Sequence, residues 1–105
     1  MSTTPSPEYI AVRHILTSPT LAARCAPHIR NDDFAWESLL AETETMSGGE
    51  STLVRIAFDL WEAEGTVGIW ELPKQLDTRN FNRVLEALEL FRGTPELDTR
   101  VPVAA

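Results

Sequence analysis

Apolar residues recur along this chain at three- and four-residue spacing, and capping residues stand where most of these runs begin. The clearest stretch runs from Ser47 to Gly93, where the pattern predicts two helices with start and stop signals at both ends. Ser47-Gly48-Gly49-Glu50 fits a capping box, with a serine at the cap and a glutamate three residues on, each satisfying a free backbone N–H. On the helix that follows, from about Glu50 to Glu64, Leu53, Ile56, Ala57, Leu60 and Trp61 share one side, and Val54 and Phe58 widen it. Only Ser51, Thr52, Arg55, Asp59 and Glu62 remain as a narrow polar strip. A helix with so little polar surface is packed on several sides, so residues 50–64 are expected at the centre of the fold. Gly65 supplies the stop. Asp77 or Thr78 caps the last helix, which runs to Arg92 and carries Phe81, Val84, Leu85, Leu88 and Phe91 as its core stripe. Gly93 and Pro95 end it.

Upstream, Ser6-Pro7-Glu8 is a helix start, with a cap, a proline at the first helical position and an acid at the positive end of the dipole. That helix is expected to reach about Thr17 and to bury Tyr9, Ala11, Val12, Ile15 and Leu16, leaving Ile10, Arg13 and His14 outside. Ser18-Pro19 repeats the signal for a short helix over Thr20–Cys25, ending before Pro27. Asn31-Asp32-Asp33 is read as the cap of a third helix reaching Met46, with Trp36, Leu39, Leu40 and Met46 inward and Phe34 and Ala41 pointing away. Between the two clearest helices, Val67 is expected to be extended and a short helix to span about Ile69–Leu76, strained or restarted at Pro73. The sum is an all-α, compact single-domain bundle of four main helices plus a short one over residues 7–93, with flexible ends at 1–6 and 94–105.

A chain of 105 residues that is 43% hydrophobic can bury a real but small core, so most large apolar side chains must serve packing. Sixteen acids against nine bases give a net charge of −7, which opposes non-specific binding to nucleic acid or anionic membrane and attracts basic surfaces. The lone Cys25 forbids an intrachain disulfide and suits a reducing compartment. No secretory leader and no membrane-length apolar run is visible, so a cytoplasmic protein is expected.

Candidate chemistry is sparse. Ser47-Gly48-Gly49 resembles the serine-glycine-glycine signature of ABC-type ATPases, and free N–H groups at a helix start do attract phosphate. No phosphate-binding loop with its lysine accompanies it, and Glu50 would repel the anion, so the capping box is the better reading. Cys25-x-x-His28 has the spacing of metal ligands, but only His14 and acids such as Asp32 or Asp33 remain to complete a set. As a nucleophile Cys25 has nothing in the sequence to lower its pKa, so a buried thiol is expected. Asp59, Glu62 and Glu64 with Arg55 read as a solvated strip rather than acid–base machinery. No catalytic residue, metal ligand or cofactor is assigned.

Residues 50–93 can also be divided into a long helix, a short one and a last one after the tight turn Leu76-Asp77-Thr78, the order of a helix-turn-helix. Arg79, Asn80, Asn82 and Arg83 are then the residues to contact DNA. Asp77, Glu86 and Glu89 crowd the same helix and make this the second reading. The first is a non-enzymatic, acidic protein-binding or regulatory module that meets a protein partner with a basic surface through Asp59, Glu62, Glu86, Glu89 and Leu90. Leu90 lies opposite the last helix's stripe, where a leucine among acids fits either a docking patch or a second packed layer. Self-association as a homodimer is compatible with that reading.

Met46-Ser47-Gly48-Gly49-Glu50, then Leu53, Ala57, Leu60-Trp61, Leu76-Asp77, Asn80 and Val84-Leu85-x-Ala87-Leu88, resembles small bacterial and phage-type accessory proteins of no known activity. The resemblance covers about half the chain and implies no site residue. It implies a gene of the accessory or mobile-element kind, in which small acidic proteins act by binding and inhibiting another protein; an acidic surface that occupies a groove meant for phosphates makes a nucleic-acid-handling protein one concrete target.

Overall fold

The computed structural model describes residues 6–93, which fold into six α-helices joined by short turns. These are α1 (Pro7–Leu16), α2 (Ala22–Cys25), α3 (Trp36–Glu42), α4 (Gly48–Glu62), α5 (Glu71–Gln75) and α6 (Thr78–Arg92), with 3₁₀ turns at Ala26–His28 and Thr43–Thr45. The architecture is all-α and single-domain, as the apolar periodicity predicts. The expected division into four long helices and one short one does not form. Instead α1, α4 and α6 are long, and α2, α3 and α5 are short. The ends expected to fray, apart from Ser6, lie outside the described residues.

Three helices start as their caps predict. Ser6 Oγ accepts from the Tyr9 amide with Pro7 at the first position of α1. Ser47 and Glu50 close both bonds of the capping box, at 2.9 and 3.2 Å. Asp77 accepts from the Asn80 amide at 2.9 Å.

Two expected caps fail. Ser18 does not cap α2: its hydroxyl is fully buried and has no hydrogen-bond partner, while its carbonyl accepts from Leu21 and Ala22. Asn31-Asp32-Asp33 does not start α3. Asp32 takes a positive φ of 99°, Asp33 accepts from the Phe34 amide at 2.8 Å, and an isolated bridge joins Ile29 to Phe34. Short acids stabilise such a turn by bonding the local backbone and tolerating left-handed dihedrals. The helix therefore starts at Trp36, and Phe34, lying before it, is buried instead of pointing away.

The helix α4 packs against α1, α3, α5 and the Thr43–Thr45 turn, so it occupies a central place. Leu53, Val54 and Ala57 are fully buried on it. Thr52, expected on the polar strip, is buried too. That strip is where α5 docks: a Cβ at Gly49 would lie 3.2 Å from the Gln75 carbonyl oxygen, and Arg55 reaches Glu71 and the Thr66 carbonyl. The helix stops at Glu62, before Gly65, with Ala63 left-handed (φ 58°, ψ 41°). Asp59 takes over the stop by accepting from Thr66 Oγ1 at 2.8 Å and from the Val67 amide at 2.9 Å.

One flank of the core is aromatic. Tyr9 stacks on Phe34 with ring centroids 5.0 Å apart, Phe34 meets Trp61 edge-on at 5.1 Å, and Trp36 meets Phe58 edge-on at 5.3 Å. Each such pair is worth about 1 kcal/mol beyond the area it buries. The cluster ties α1 and α4 to the turn before α3. Fully buried Leu16, Leu21, Leu39 and Leu53 contribute roughly 1.5–3 kcal/mol each by leaving water.

Candidate functional site

The helix α6 is held by α1, and it hardly meets α4. Its anchoring face is Asn80, Val84 and Ala87. Phe81 and Phe91 are half-buried, and Leu85 and Leu88, expected in the core, are 43% and 40% exposed. The contact face is thus rotated from the apolar stripe. Two bonds fix that rotation: Arg83 Nε donates to the His14 carbonyl and His14 Nε2 meets Glu86 Oε1, both at 2.8 Å. Ala11, one turn before His14 on α1, and Ala87 on α6 are both fully buried, and their small side chains permit close approach there.

Of the residues read from the sequence as partner-binding, the fold separates two sets. Asp59 and Glu62 lie on α4; Glu86, Glu89 and Leu90 lie on α6. Asp59 is half-buried and engaged with Thr66 and Val67, so its carboxylate is part of the turn after α4. Glu62 and Glu89 are exposed, and Glu89 stands 3.4 Å from Arg92. Leu90 is 37% exposed.

The four residues of the DNA reading are split in a different way. Asn80 is buried, with its Oδ1 accepting from Thr20 Oγ1 at 3.2 Å, and Arg83 gives its Nε to His14. Arg79 and Asn82 are exposed. Half of that set is therefore committed to internal bonds.

A second apolar surface falls at the start of the segment expected as a short helix over Ile69–Leu76. Ile69 is 82% exposed and Trp70 63%, ahead of α5. A Cβ at Gly68 would fall 2.5 Å from the Trp70 indole nitrogen, so only glycine lets the ring lie back over this turn. Lys74 sits 6.0 Å from the Trp70 ring centroid, within cation–π reach. Beside them a cavity of about 220 Å³ is lined by Ile56, Leu60, Val67, Ile69 and Leu72 among others.

Cys25 is buried, and burial pushes its thiol from an ordinary 9.0 up to about 11; Glu42 and Glu50 push the same way and Arg24 opposes them. Both ring nitrogens of His28 are engaged elsewhere, Nδ1 with Ser38 Oγ at 2.9 Å and Nε2 with Glu42 at 3.4 Å. The Cys25–His28 pair consequently has neither a thiolate at neutral pH nor a base aimed at the sulfur. Sequence spacing hid a different cluster: Arg24 Nη2 donates to Glu42 at 2.8 Å and to Thr45 Oγ1, and with His28 it gathers α2, α3 and the turns beside them. The Arg24 hydrogen bond, then that of His28, hold the Glu42 carboxyl below its ordinary range. Among the described residues no three His, Cys, Asp or Glu side chains are grouped to hold a metal ion, and no helix is long and apolar enough to cross a membrane.

No protein-family model, no curated protein and no solved structure matches the chain.

Proposed function

We propose that this protein is a non-enzymatic binding or regulatory module that acts through a protein partner, and that the outward face of α6 is its docking surface. The observation that carries this reading is the exposure of Leu85 and Leu88 on a helix whose apolar stripe continues into the core. A row of leucines beside exposed acids supplies apolar area for affinity, and charge for choosing the partner. Glu89 and Glu86 lie beside the row on the outward side, with Leu90 beyond them on the opposite face, so the partner is a basic surface with apolar pockets. A concrete form of the activity is inhibition of a nucleic-acid-handling protein, whose phosphate-binding groove an acidic helix can occupy. Ile69 and Trp70 form a second contact area on another element.

The test is affinity capture from the native cytoplasm, followed by titration of the purified partner with wild type, Leu88→Ser and Glu89→Lys. Leu88→Ser should weaken binding at all salt concentrations. Glu89→Lys should weaken it most at low salt and flatten its salt dependence, with helicity unchanged in both. Undiminished binding by both variants removes α6 as the docking surface. A concentration-dependent dimer that Leu85→Ser and Leu88→Ser abolish would make a second copy of the chain the occupant.

A further inference from the structure

On the other flank of α6, a cavity of about 290 Å³ opens between the turn after α1 and the first half of α6, lined by Ser18, Arg79, Asn80, Asn82, Arg83 and Glu86 among others. Its chemistry differs from the rest of this acidic chain. Elsewhere three arginines face the protein's own carboxylates, Arg24 with Glu42, Arg55 with Glu71 and Arg92 with Glu89, while Arg30 bonds the Pro27 carbonyl and Arg13 makes no ion pair with the described residues. Here Arg79 makes no hydrogen bond or ion pair with the described residues, and Arg83 uses only Nε, for the His14 carbonyl. Glu86, the one carboxylate in the wall, is taken by His14 at 2.8 Å. Ser18 adds an independent sign: it is fully buried, it lines this cavity, and its hydroxyl bonds nothing. A buried hydroxyl without a partner is destabilising, a loss that a bound acceptor oxygen would recover. Asn80 keeps its amide N–H donors while its oxygen faces Thr20, and Asn82 is exposed and makes no hydrogen bond with the described residues.

We propose that this cavity binds the phosphate group of a small phosphomonoester, with Arg79 and Arg83 carrying the charge and Ser18, Asn80 and Asn82 donating to its oxygens. Guanidinium groups present paired donors that match phosphate geometry, and a phosphomonoester offers three terminal oxygens to a donor-rich wall. A compact anion fits where an extended one does not. Glu89 on the following turn, and a net charge of −7, repel a nucleic-acid backbone laid across α6.

The test is a titration of the full chain with inorganic phosphate and with ribose 5-phosphate, followed by backbone amide NMR, with chloride at matched ionic strength and ribose as controls. Saturable shifts at Ser18, Thr20 and residues 78–83 with both phosphates, and none with the controls, are expected. Arg79→Ala removes an exposed, unpartnered side chain, so it should leave the thermal midpoint in place and weaken phosphate binding about tenfold or more. Ser18→Ala should weaken binding severalfold and raise the midpoint of the ligand-free protein, a pair of effects that a purely structural serine would not give. Equal shifts with chloride, no saturable shift with phosphate, or unchanged binding by Arg79→Ala would each overturn the proposal. Duplex DNA shifting the same amides at low salt while ribose 5-phosphate does not would overturn it in favour of nucleic acid.

Discussion

The helices α4 and α6 have the same length, fifteen residues, and each is started by a side chain that bonds the amide three residues on. Their apolar positions fare differently. On α4 Leu53, Val54, Ile56 and Ala57 are buried, and even Thr52 is covered, because α1, α3, α5 and a 3₁₀ turn surround it. On α6 a single supporting helix, α1, takes one edge of the stripe and adds a polar residue, Asn80, leaving Leu85 and Leu88 uncovered. A periodic apolar stripe says that a helix face is to be covered. Whether the same chain covers it depends on how many neighbours reach it, and that number is a tertiary property.

The largest expected difference between the two helices is in stability. Leu53→Ala removes a fully buried side chain from α4 and should cost about 2–5 kcal/mol in denaturant unfolding. Leu88→Ala, at a position left 40% exposed, should cost well below that, on the order of 1 kcal/mol or less. Comparable losses at the two sites would mean that α6 is covered in solution, and the contrast would be gone.

The caps of α1, α4 and α6 were legible because each depends on a few residues and their own backbone: Ser6-Pro7, Ser47 with Glu50, and Asp77. The core side of α1 was legible for the same kind of reason, since Ala11, Val12, Ile15 and Leu16 repeat at helical spacing and are all buried. What escaped depends on groups distant in sequence. Arg83 reaches the carbonyl of residue 14, and that bond helps to decide which edge of α6 is anchored. Asn31-Asp32-Asp33 has the composition of a helix cap and of a tight turn alike, and the Ile29–Phe34 bridge selects the turn. In the cavity beside Ser18, the basic residues were visible in sequence but their neighbour sixty positions earlier was not, so they suggested a DNA-reading helix instead of a pocket.

An intermediate effect is expected at the end of α4. Ala63 sits in the left-handed region at φ 58°, where a Cβ is crowded by the following carbonyl oxygen at a cost of roughly 1–2 kcal/mol. Ala63→Gly relieves that strain while adding freedom to the unfolded chain, so a net gain of about 0.5–1 kcal/mol is expected in thermal unfolding. The stop itself is held by Asp59 through Thr66 and Val67, so the turn should keep its shape. A loss of stability would show that the methyl group of Ala63 contributes packing that outweighs its strain. No equivalent gain is available at the end of α6, where Gly93 already occupies the positive-φ position.

The smallest effect separates the charged contacts around α2 and α3 from those on α6. Arg24 and His28 hold the Glu42 carboxyl below its ordinary value of 4.5, so the folded protein binds a proton there less readily than the unfolded chain. By linkage, this contribution is present above the unfolded value and is lost as pH falls through the lower folded one. Glu42→Gln should therefore lower stability modestly near neutral pH and flatten its decline in acid, and the wild-type and variant curves should converge at the acid end. Glu86, with a side chain 60% exposed beside His14, is the counterpart on α6, and exposed pairs of this kind contribute little. Glu86→Gln should accordingly leave the acid limb where wild type has it. If Glu42→Gln unfolds in acid along the wild-type curve, the Arg24–Glu42–His28 cluster adds nothing to the fold that water does not. The advantage of the packed interior over α6 would then reduce to apolar burial alone.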